Sequence, residues 1–178
     1  MRVLVLGAGA IGGVFGGFLR KAGHAVTLVG QPDYMEAIAR DGLRISGIWG
    51  EHRIDGFRTF DNVAAVGGEA FDVVFLTVKS YHTDEAMRAF VGAGILGEPA
   101  VVSLQNGLGN VETIARHVGA DRTIGGRVIF GVEVVEPGHC RVTVYAEEVM
   151  LGAIEPGAVS KETIARLATA LSEAGIPS

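Results

Sequence analysis

Three glycines near the amino terminus follow the spacing Gly-x-Gly-x-x-Gly, in the segment Gly7-Ala8-Gly9-Ala10-Ile11-Gly12. In this pattern the first glycine permits a tight turn, and the second lets a pyrophosphate approach the backbone. The third lets a helix pack closely on a strand. Free N–H groups at the start of that helix then attract phosphates. The spacing alone also fits a plain structural turn, so the flanking elements decide between the two interpretations.

The residues on either side of the glycines predict a strand, a helix and a second strand. Residues 2–6 form a short apolar run, which is typical of a strand buried on both faces. Residues 10–22 carry apolar side chains at helical spacing and end at Gly23, and residues 25–29 form a second apolar run. This order matches a parallel crossover. The glycine segment therefore predicts a nicotinamide dinucleotide site.

Two further polar segments follow predicted buried strands. Lys79 comes directly after the strand at 72–78, and the segment 105–110, Gln-Asn-Gly-Leu-Gly-Asn, follows the strand at 100–104. Ligands of open α/β sheets bind at this carboxyl edge. Lys79 is therefore a candidate cofactor residue, with a plain surface lysine as the alternative. Asn106 is a candidate for positioning the nicotinamide ribose or substrate, whereas Asn110 is expected to cap the next helix.

The end of the second strand bears on which ribose is bound. An acid there accepts a hydrogen bond from the 2′-hydroxyl of NAD, whereas an arginine suits the 2′-phosphate of NADP. The sequence instead has Gly30-Gln31-Pro32-Asp33. Gln31 can hydrogen-bond to either cofactor, and Asp33 is expected to cap the helix that follows. The pattern leaves both cofactors open.

The remaining pattern predicts an α/β fold in which strands and helices alternate. A β-hairpin is expected at 43–46 and 52–54, and an antiparallel pair at 126–135 and 140–151 is expected to close the sheet edge. Further helices are predicted at 33–41, 61–66, 83–91, 110–117 and 164–174. Together they predict a Rossmann-type, doubly wound, mostly parallel sheet with an antiparallel edge, which makes residues 1–178 one dinucleotide-binding domain.

Composition excludes several other classes of protein. The 178 residues carry a net charge of −5 without a basic run, which argues against a nucleic-acid partner. No apolar stretch approaches the roughly 20 residues of a membrane span, and the amino terminus lacks a signal peptide pattern. Cys140 is the single cysteine, so a cytoplasmic location is expected. We expect that cysteine to be a buried strand residue rather than a nucleophile or ligand, and the histidines share no metal spacing.

Taken together, these motifs resemble the ketopantoate reductase family, the NADPH-dependent 2-oxo-acid reductases of pantothenate synthesis. The resemblance runs along nearly the whole chain. It rests on Gly-Ala-Gly-Ala-Ile-Gly-Gly at 7–13, Ala-Gly-His at 22–24, Arg-Asp-Gly-Leu-Arg-Ile at 40–45, Val-Lys at 78–79, the segment 105–110, and Pro-Gly at 137–138. The Val-Lys and Gln-Asn-Gly-Leu-Gly motifs are much more specific than the glycine spacing.

The resemblance implies a role for three residues. Lys79 matches the lysine that helps to hold the adenosine 2′-phosphate, and Asn106 matches the asparagine that contacts the nicotinamide ribose and the oxo acid. Gln31 falls where the family typically has an arginine, so a charge-assisted contact to the 2′-phosphate is missing. The implied reaction is hydride transfer from nicotinamide C4 to the carbonyl carbon of a 2-oxo acid, reducing ketopantoate to pantoate.

The family also has a helical second domain, which carries a general-acid lysine. We expect this chain to be the cofactor domain alone, ending near a strand start at 175–178, binding the cofactor and turning over little. The expected partners are a small 2-oxo acid and a second copy in a homodimer. The alternatives are the cofactor domain of another hydroxy-acid dehydrogenase of the superfamily, or a nucleotide-sensing module without catalysis.

Overall fold

The computed structural model describes residues 1–178 and contains one nine-stranded sheet with five α-helices. The strands are β1 (Arg2–Leu6), β2 (Ala25–Val29), β3 (Leu43–Gly47), β4 (His52–Ile54), β5 (Arg58–Phe60), β6 (Val73–Leu76), β7 (Ala100–Ser103), β8 (Thr123–Glu136) and β9 (His139–Ala153). The helices are α1 (Ala10–Lys21), α2 (Pro32–Asp41), α3 (Thr83–Gly92), α4 (Asn110–Val118) and α5 (Lys161–Ala174). Short 3₁₀ turns lie at 63–66, 80–82 and 120–122.

The strand order across the sheet is β4-β3-β9-β8-β7-β6-β1-β2-β5. Six of these strands, β1, β2 and β5 to β8, run parallel to one another. Strand β9 is antiparallel to β8, β3 is parallel to β9, and β4 forms an antiparallel edge on β3. The predicted fold class is confirmed. The chain direction across the sheet reverses between β1 and β6, which is where ligands bind in doubly wound folds.

Strand β1 is buried on both faces because helices cover both sides of the sheet. Val3 and Val5 pack in one cluster together with α1 and α5, whereas Leu4 and Leu6 pack in a second cluster with α3 and α4. Alternate side chains of a strand point to opposite faces, so a continuous apolar run is required here. This requirement explains why the sequence pattern identified β1 correctly.

The sheet curls around α1, and glycines on this helix make the close packing sterically possible. A Cβ atom at Gly16 would lie 2.8 Å from Leu28 Cδ2, and one at Gly17 would lie 2.6 Å from Ile45 Cδ1. Leu28 belongs to β2 and Ile45 to β3, so α1 is enclosed by strands from distant parts of the order. The curl brings β9 beside the start of α1.

One expectation about the sheet was wrong, and one strand was missed. The antiparallel pair β8–β9 does not close the edge, because β3 pairs with the outer side of β9 in the register Ile45 with Cys140. A 15-residue strand presents a long row of backbone groups, and β3 satisfies part of that row. Strand β5 was missed, because its three residues are too few to show a period.

Candidate functional site

Four loops that carry the predicted site residues lie side by side at one edge of the sheet. The order β7-β6-β1-β2 is continuous, and these strands are parallel. Their carboxyl ends lead to Asn106, Lys79, the glycine segment at 7–12 and Gln31, respectively. The glycine segment therefore lies between the loops of Lys79 and Gln31, and Asn106 lies one strand beyond Lys79. The tertiary structure brings all the predicted residues to one edge.

The glycine loop is held from both neighbouring strands. The backbone N–H groups of Gly7 and Ala8 both donate to Val29 O at 2.9 Å, and Thr77 Oγ1 donates to Gly7 O at 2.8 Å. Gly7 has a φ of +95°, and a Cβ atom there would lie 2.6 Å from Val78 N. No other residue type fits this turn without strain. The loop is thus fixed before any ligand arrives.

The first turn of α1 presents unused hydrogen-bond donors. The first bond of the helix runs from Gly13 N–H to Gly9 O at 2.7 Å, and the N–H groups of Ala10, Ile11 and Gly12 donate to no protein acceptor. No acidic side chain lies in this turn. A Cβ atom at Gly9 would meet only Gly7 O, at 3.9 Å, so the space above it is open. This combination of free donors, helix dipole and space fits a pyrophosphate.

The opposite side of the same helix start is closely packed. A Cβ atom at Gly12 would lie 2.6 Å from Thr77 Oγ1 and 2.9 Å from Val5 Cγ1. Helix α1 therefore approaches β1 and β6 as closely as the glycine spacing predicts. The absence of a side chain therefore has different effects at the two glycines. At Gly9 it leaves open space, and at Gly12 it lets α1 pack closely against the sheet.

A buried thiol and a buried phenol lie beneath the glycine loop. Cys140 Sγ is 2.7 Å from the Tyr34 hydroxyl oxygen and 3.9 Å from Gly9 O. Burial raises the pKa of the Cys140 thiol to about 11, and burial followed by the nearby sulfur raises the pKa of Tyr34 above its ordinary value. Both groups are therefore neutral near pH 7. Cys140 is a packed strand residue, as expected, and supports the loop rather than acting as a nucleophile.

Lys79 and Gln31 are both exposed on either side of the glycine loop. The Lys79 ammonium makes no ion pair or hydrogen bond within the chain, while its carbonyl accepts from His82 N–H at 2.8 Å. Gln31 is the N-cap residue of α2, and its side chain makes no capping bond. The prediction that Asp33 caps this helix was wrong. Pro32 begins the helix, so Asp33 lies within the first turn, where its Oδ1 accepts from Tyr34 N–H at 2.9 Å.

A hydrogen-bond network joins the Lys79 loop to the Asn106 loop. Gln105 Nε2 donates to Val78 O and to Thr83 Oγ1, both at 2.8 Å. Thr83 Oγ1 in turn donates to Asn110 Oδ1 at 2.9 Å. Because Gln105 follows β7 and Val78 follows β6, the network fixes the relative position of the two loops.

Asn110 closes the Asn106 loop instead of capping α4, so the capping prediction was wrong. Its Nδ2 donates to Asn106 O at 3.0 Å and to Gly107 O at 3.2 Å, and its side chain is buried. Gly109, with a φ of +86°, takes the N-cap position. A left-handed residue directly before the helix turns the Asn110 side chain back across the loop. The Asn106 side chain is exposed and has no hydrogen-bond partner within the chain.

The other candidate residues do not come together in a metal site. No group of three or more His, Cys, Asp or Glu side chains could hold a metal ion. None of the helices is both long and apolar enough to cross a membrane. His82 lies at the start of α3, where its Nδ1 is 3.2 Å from Glu85 Oε2. The acids predicted to be in contact with solvent are all exposed on β8 and β9, namely Glu133, Glu136, Glu147 and Glu148.

Sequence reasoning missed Thr77, Tyr34 and the contact of Cys140 with Gly9. Thr77 follows β6 at the same edge as Lys79, so its position was a usable signal. Tyr34 and Cys140 are 106 residues apart, and no local pattern indicates that they meet. Only the curl of the sheet around α1 places them under the loop.

Comparisons with known proteins agree with the motifs. The family described as Ketopantoate reductase PanE/ApbA matches residues 3–156. A 2-dehydropantoate 2-reductase of Aquifex aeolicus (strain VF5) is 37% identical over 179 residues, covering 99% of this chain and 54% of the relative. One of Pyrococcus horikoshii is 40% identical over 138 residues, covering 78% of this chain and 43% of the relative. The chain thus spans about half the length of these relatives.

Solved structures give the same result for the fold. The crystal structure of 2-dehydropantoate 2-reductase from Geobacter metallireducens GS-15 has a TM-score of 0.88 and 29% identity, covering 99% of this chain and 56% of that one. A D-mandelate dehydrogenase solved with NADH and anilino(oxo)acetate has a TM-score of 0.82 at 23% identity, covering 99% of this chain and 55% of that one. At that identity, the second likeness shows a shared fold.

The buried thiol beneath the loop predicts a loss of stability at alkaline pH. The ordinary thiol pKa of 9.0 applies to the unfolded chain, and about 11 applies to the folded chain. Stability is therefore fully present below pH 9 and is lost as the pH rises towards 11, by about 2–3 kcal/mol. Urea unfolding across this range should show a larger loss in the native chain than in Cys140→Ala, which retains only the contribution of the buried Tyr34 phenol above pH 10. Parallel pH curves for the two proteins would contradict a buried neutral thiol.

Proposed function

The chain belongs to the ketopantoate reductase family, and we propose that residues 1–178 form the dinucleotide-binding domain of an NADPH-dependent 2-oxo-acid reductase. The proposed substrate is ketopantoate (2-dehydropantoate), and the product is pantoate. One observation carries the proposal: an open glycine loop with three free N–H groups stands between Lys79 and Gln31, with Asn106 on the next loop. Family membership and the similarity to 2-dehydropantoate 2-reductases support it.

In this proposal the start of α1 binds the pyrophosphate. The N–H groups of Ala10, Ile11 and Gly12 donate to its oxygens, and the missing side chain of Gly9 gives the phosphates room. The Lys79 ammonium, which has no partner within the chain, pairs with the adenosine 2′-phosphate. Gln31 contributes a neutral hydrogen bond on the other side of the loop. NADPH is therefore the proposed cofactor, held by one cation rather than two.

Asn106 is the proposed catalytic contact within this chain. The cofactor supplies the hydride that reduces the carbonyl carbon of the oxo acid. The Asn106 amide, on a loop fixed by Gln105 and Asn110, orients the nicotinamide ribose and the oxo acid. The proton donor to the resulting alkoxide is proposed to be the lysine that the family resemblance places in a helical second domain. A homodimer and a cytoplasmic location remain predictions.

The cofactor site is tested by titrating the 178-residue chain with NADPH. We expect saturable binding and a rise in melting temperature that follows ligand concentration. Gly9→Val should weaken binding by roughly a hundredfold or more, because the added side chain occupies the space of the pyrophosphate. The variant should retain the native circular dichroism spectrum, since a Cβ atom at Gly9 meets no protein atom closer than 3.9 Å. Undiminished affinity in this variant would contradict the placement of the pyrophosphate.

The roles of Lys79 and Gln31 predict opposite changes in cofactor preference. Lys79→Ala should weaken NADPH by about tenfold and NADH little, because only NADPH carries the 2′-phosphate. Gln31→Arg should strengthen NADPH by a similar factor, since a second cation then faces that phosphate. Isothermal titration of each variant with both cofactors checks this. An equal loss of NADPH and NADH in Lys79→Ala would show that Lys79 does not touch the 2′-phosphate.

The reductase activity is tested in a chimera of this chain with its relative from Aquifex aeolicus. The match covers 99% of this chain and 54% of that relative, so the unmatched part of the relative can be fused after Ser178. The chimera should oxidise NADPH when ketopantoate is added, followed by absorbance, and Asn106→Ala should lower kcat by at least tenfold. The intact relative serves as the control. A chimera that binds NADPH but reduces no 2-oxo acid would argue for a different activity.

A further inference from the structure

A row of basic side chains crosses the sheet on the face opposite α1. Arg53 of β4 pairs in register with Arg44 of β3, Arg44 with His139 of β9, and His139 with Glu136 of β8. Residues paired in this way have Cβ atoms about 4.5–5.5 Å apart. Their strand neighbours Ile45 and Cys140 contact α1, so the row points away from it. Three basic groups in adjacent strands therefore share one small area.

Of the two arginines in this row, only Arg44 has an ion pair within the chain. Like charges placed directly opposite across a strand pair destabilise the sheet. Arg53 makes no ion pair or side-chain hydrogen bond, and Arg44 has one contact, to Glu51 at 3.2 Å. Arg40 at the end of α2 joins the same area but is paired with Asp41 at 2.7 Å. An anion placed between Arg44 and Arg53 would relieve this repulsion.

His139 gives independent evidence for a ligand here, because one of its ring nitrogens lacks a hydrogen-bond partner. The side chain is 93% buried, and its Nε2 lies 2.8 Å from Ser46 Oγ. Its Nδ1 is shielded from solvent and has no hydrogen-bond partner, while Glu136 Oε1 lies 3.7 Å away. If the Ser46 hydroxyl donates to Nε2, Nδ1 carries the ring proton and is a donor without an acceptor. Buried polar atoms of this kind are rare, because each one lowers stability.

A pocket of about 220 Å³ lies at this row, which corresponds to roughly seven water molecules. Its lining includes Arg40, Arg44, Arg53 and His139 together with Asp41 and Glu136. Three arginines and two carboxylates line the pocket, and Glu51, the partner of Arg44, brings the carboxylates at this face to three. Arg53 is the arginine of this set without an ion pair, so an anion that reaches Arg53 and Arg44 together would find a free guanidinium group there.

We propose that this pocket binds one phosphate group, free or as a phosphomonoester of a small molecule. Paired guanidinium groups match phosphate oxygens with two parallel hydrogen bonds each, which Arg44 and Arg53 can supply. His139 Nδ1–H becomes a further donor once Glu136, which is exposed, turns aside. The site is separate from the glycine loop, since Cys140 and not His139 contacts Gly9. The proposal does not depend on the proposed reductase function.

The test follows the His139 ring by NMR while inorganic phosphate or glycerol 3-phosphate is added to the 178-residue chain. We expect the ring signals, assigned with His139→Gln, to shift saturably with at least one of the two. The double variant Arg44→Gln/Arg53→Gln should raise Kd by at least tenfold. Arg166→Gln removes an exposed arginine of α5 that has no ion pair, and it should leave Kd unchanged. Tighter binding of glycerol 3-phosphate favours a phosphomonoester, tighter binding of inorganic phosphate favours the free anion, and equal binding shows that only the phosphate group is recognised.

Two results would overturn the proposal. One is an unmoved His139 ring with both ligands, and the other is an equal Kd in the native chain and the double arginine variant. Gly9→Val separates this site from the dinucleotide site, because it should weaken NADPH binding by roughly a hundredfold or more and leave the phosphate response of His139 intact. Conversely, the double arginine variant should bind NADPH normally. Failure of either site is then visible without failure of the other.

Discussion

Three backbone N–H groups at the start of α1 have no acceptor within the protein. The surrounding elements hold the loop in place and leave these donors free. A helix end with unused donors attracts an anion, and no acidic side chain lies in this turn to satisfy them. The loop before the helix is fixed by Val29 O on one side and Thr77 Oγ1 on the other. The donors are therefore in place before a ligand binds, which reduces the entropy that binding must overcome.

Keeping this helix start open on one side requires close packing on the others. The glycines of α1 let the helix contact strands from both ends of the chain, and Cys140 with Tyr34 closes the floor beneath Gly9. Strand β9 reaches this position because the long pair β8–β9 bends around the helix and is held on its outer side by β3. The antiparallel strand β9 thus supports the glycine loop, which follows the parallel strand β1.

The two loops that flank the glycines carry different side chains. Lys79 offers one unpaired cation, and Gln31 offers a neutral amide where the family resemblance implies an arginine. The Asn106 loop is joined to the Lys79 loop by side-chain hydrogen bonds of Gln105, Thr83 and Asn110, which are buried or partly buried. Gln31 lies at the start of α2, outside this network, so a substitution there is not expected to disturb the geometry around Asn106.

Local sequence predicted the parts whose pattern reflects their own burial. Runs such as residues 2–6, the spacing Gly7, Gly9 and Gly12, and the polar segments after β6 and β7 each indicated an element and its place at the carboxyl edge. These predictions hold because a strand buried on both faces must be apolar throughout, and because a tight turn at a φ of +95° requires glycine.

Tertiary structure decided everything that depends on which segments meet. The pairing of β3 with β9, the Cys140 and Tyr34 contact, and the turn of Asn110 across its loop involve residues far apart in the chain or a backbone angle set by a neighbour. Hydrogen-bond partners and like-charge rows such as Arg44 with Arg53 leave no periodic trace in the sequence. Periodicity reports how much of a segment is buried, whereas the identity of its neighbour is fixed only when the chain has folded.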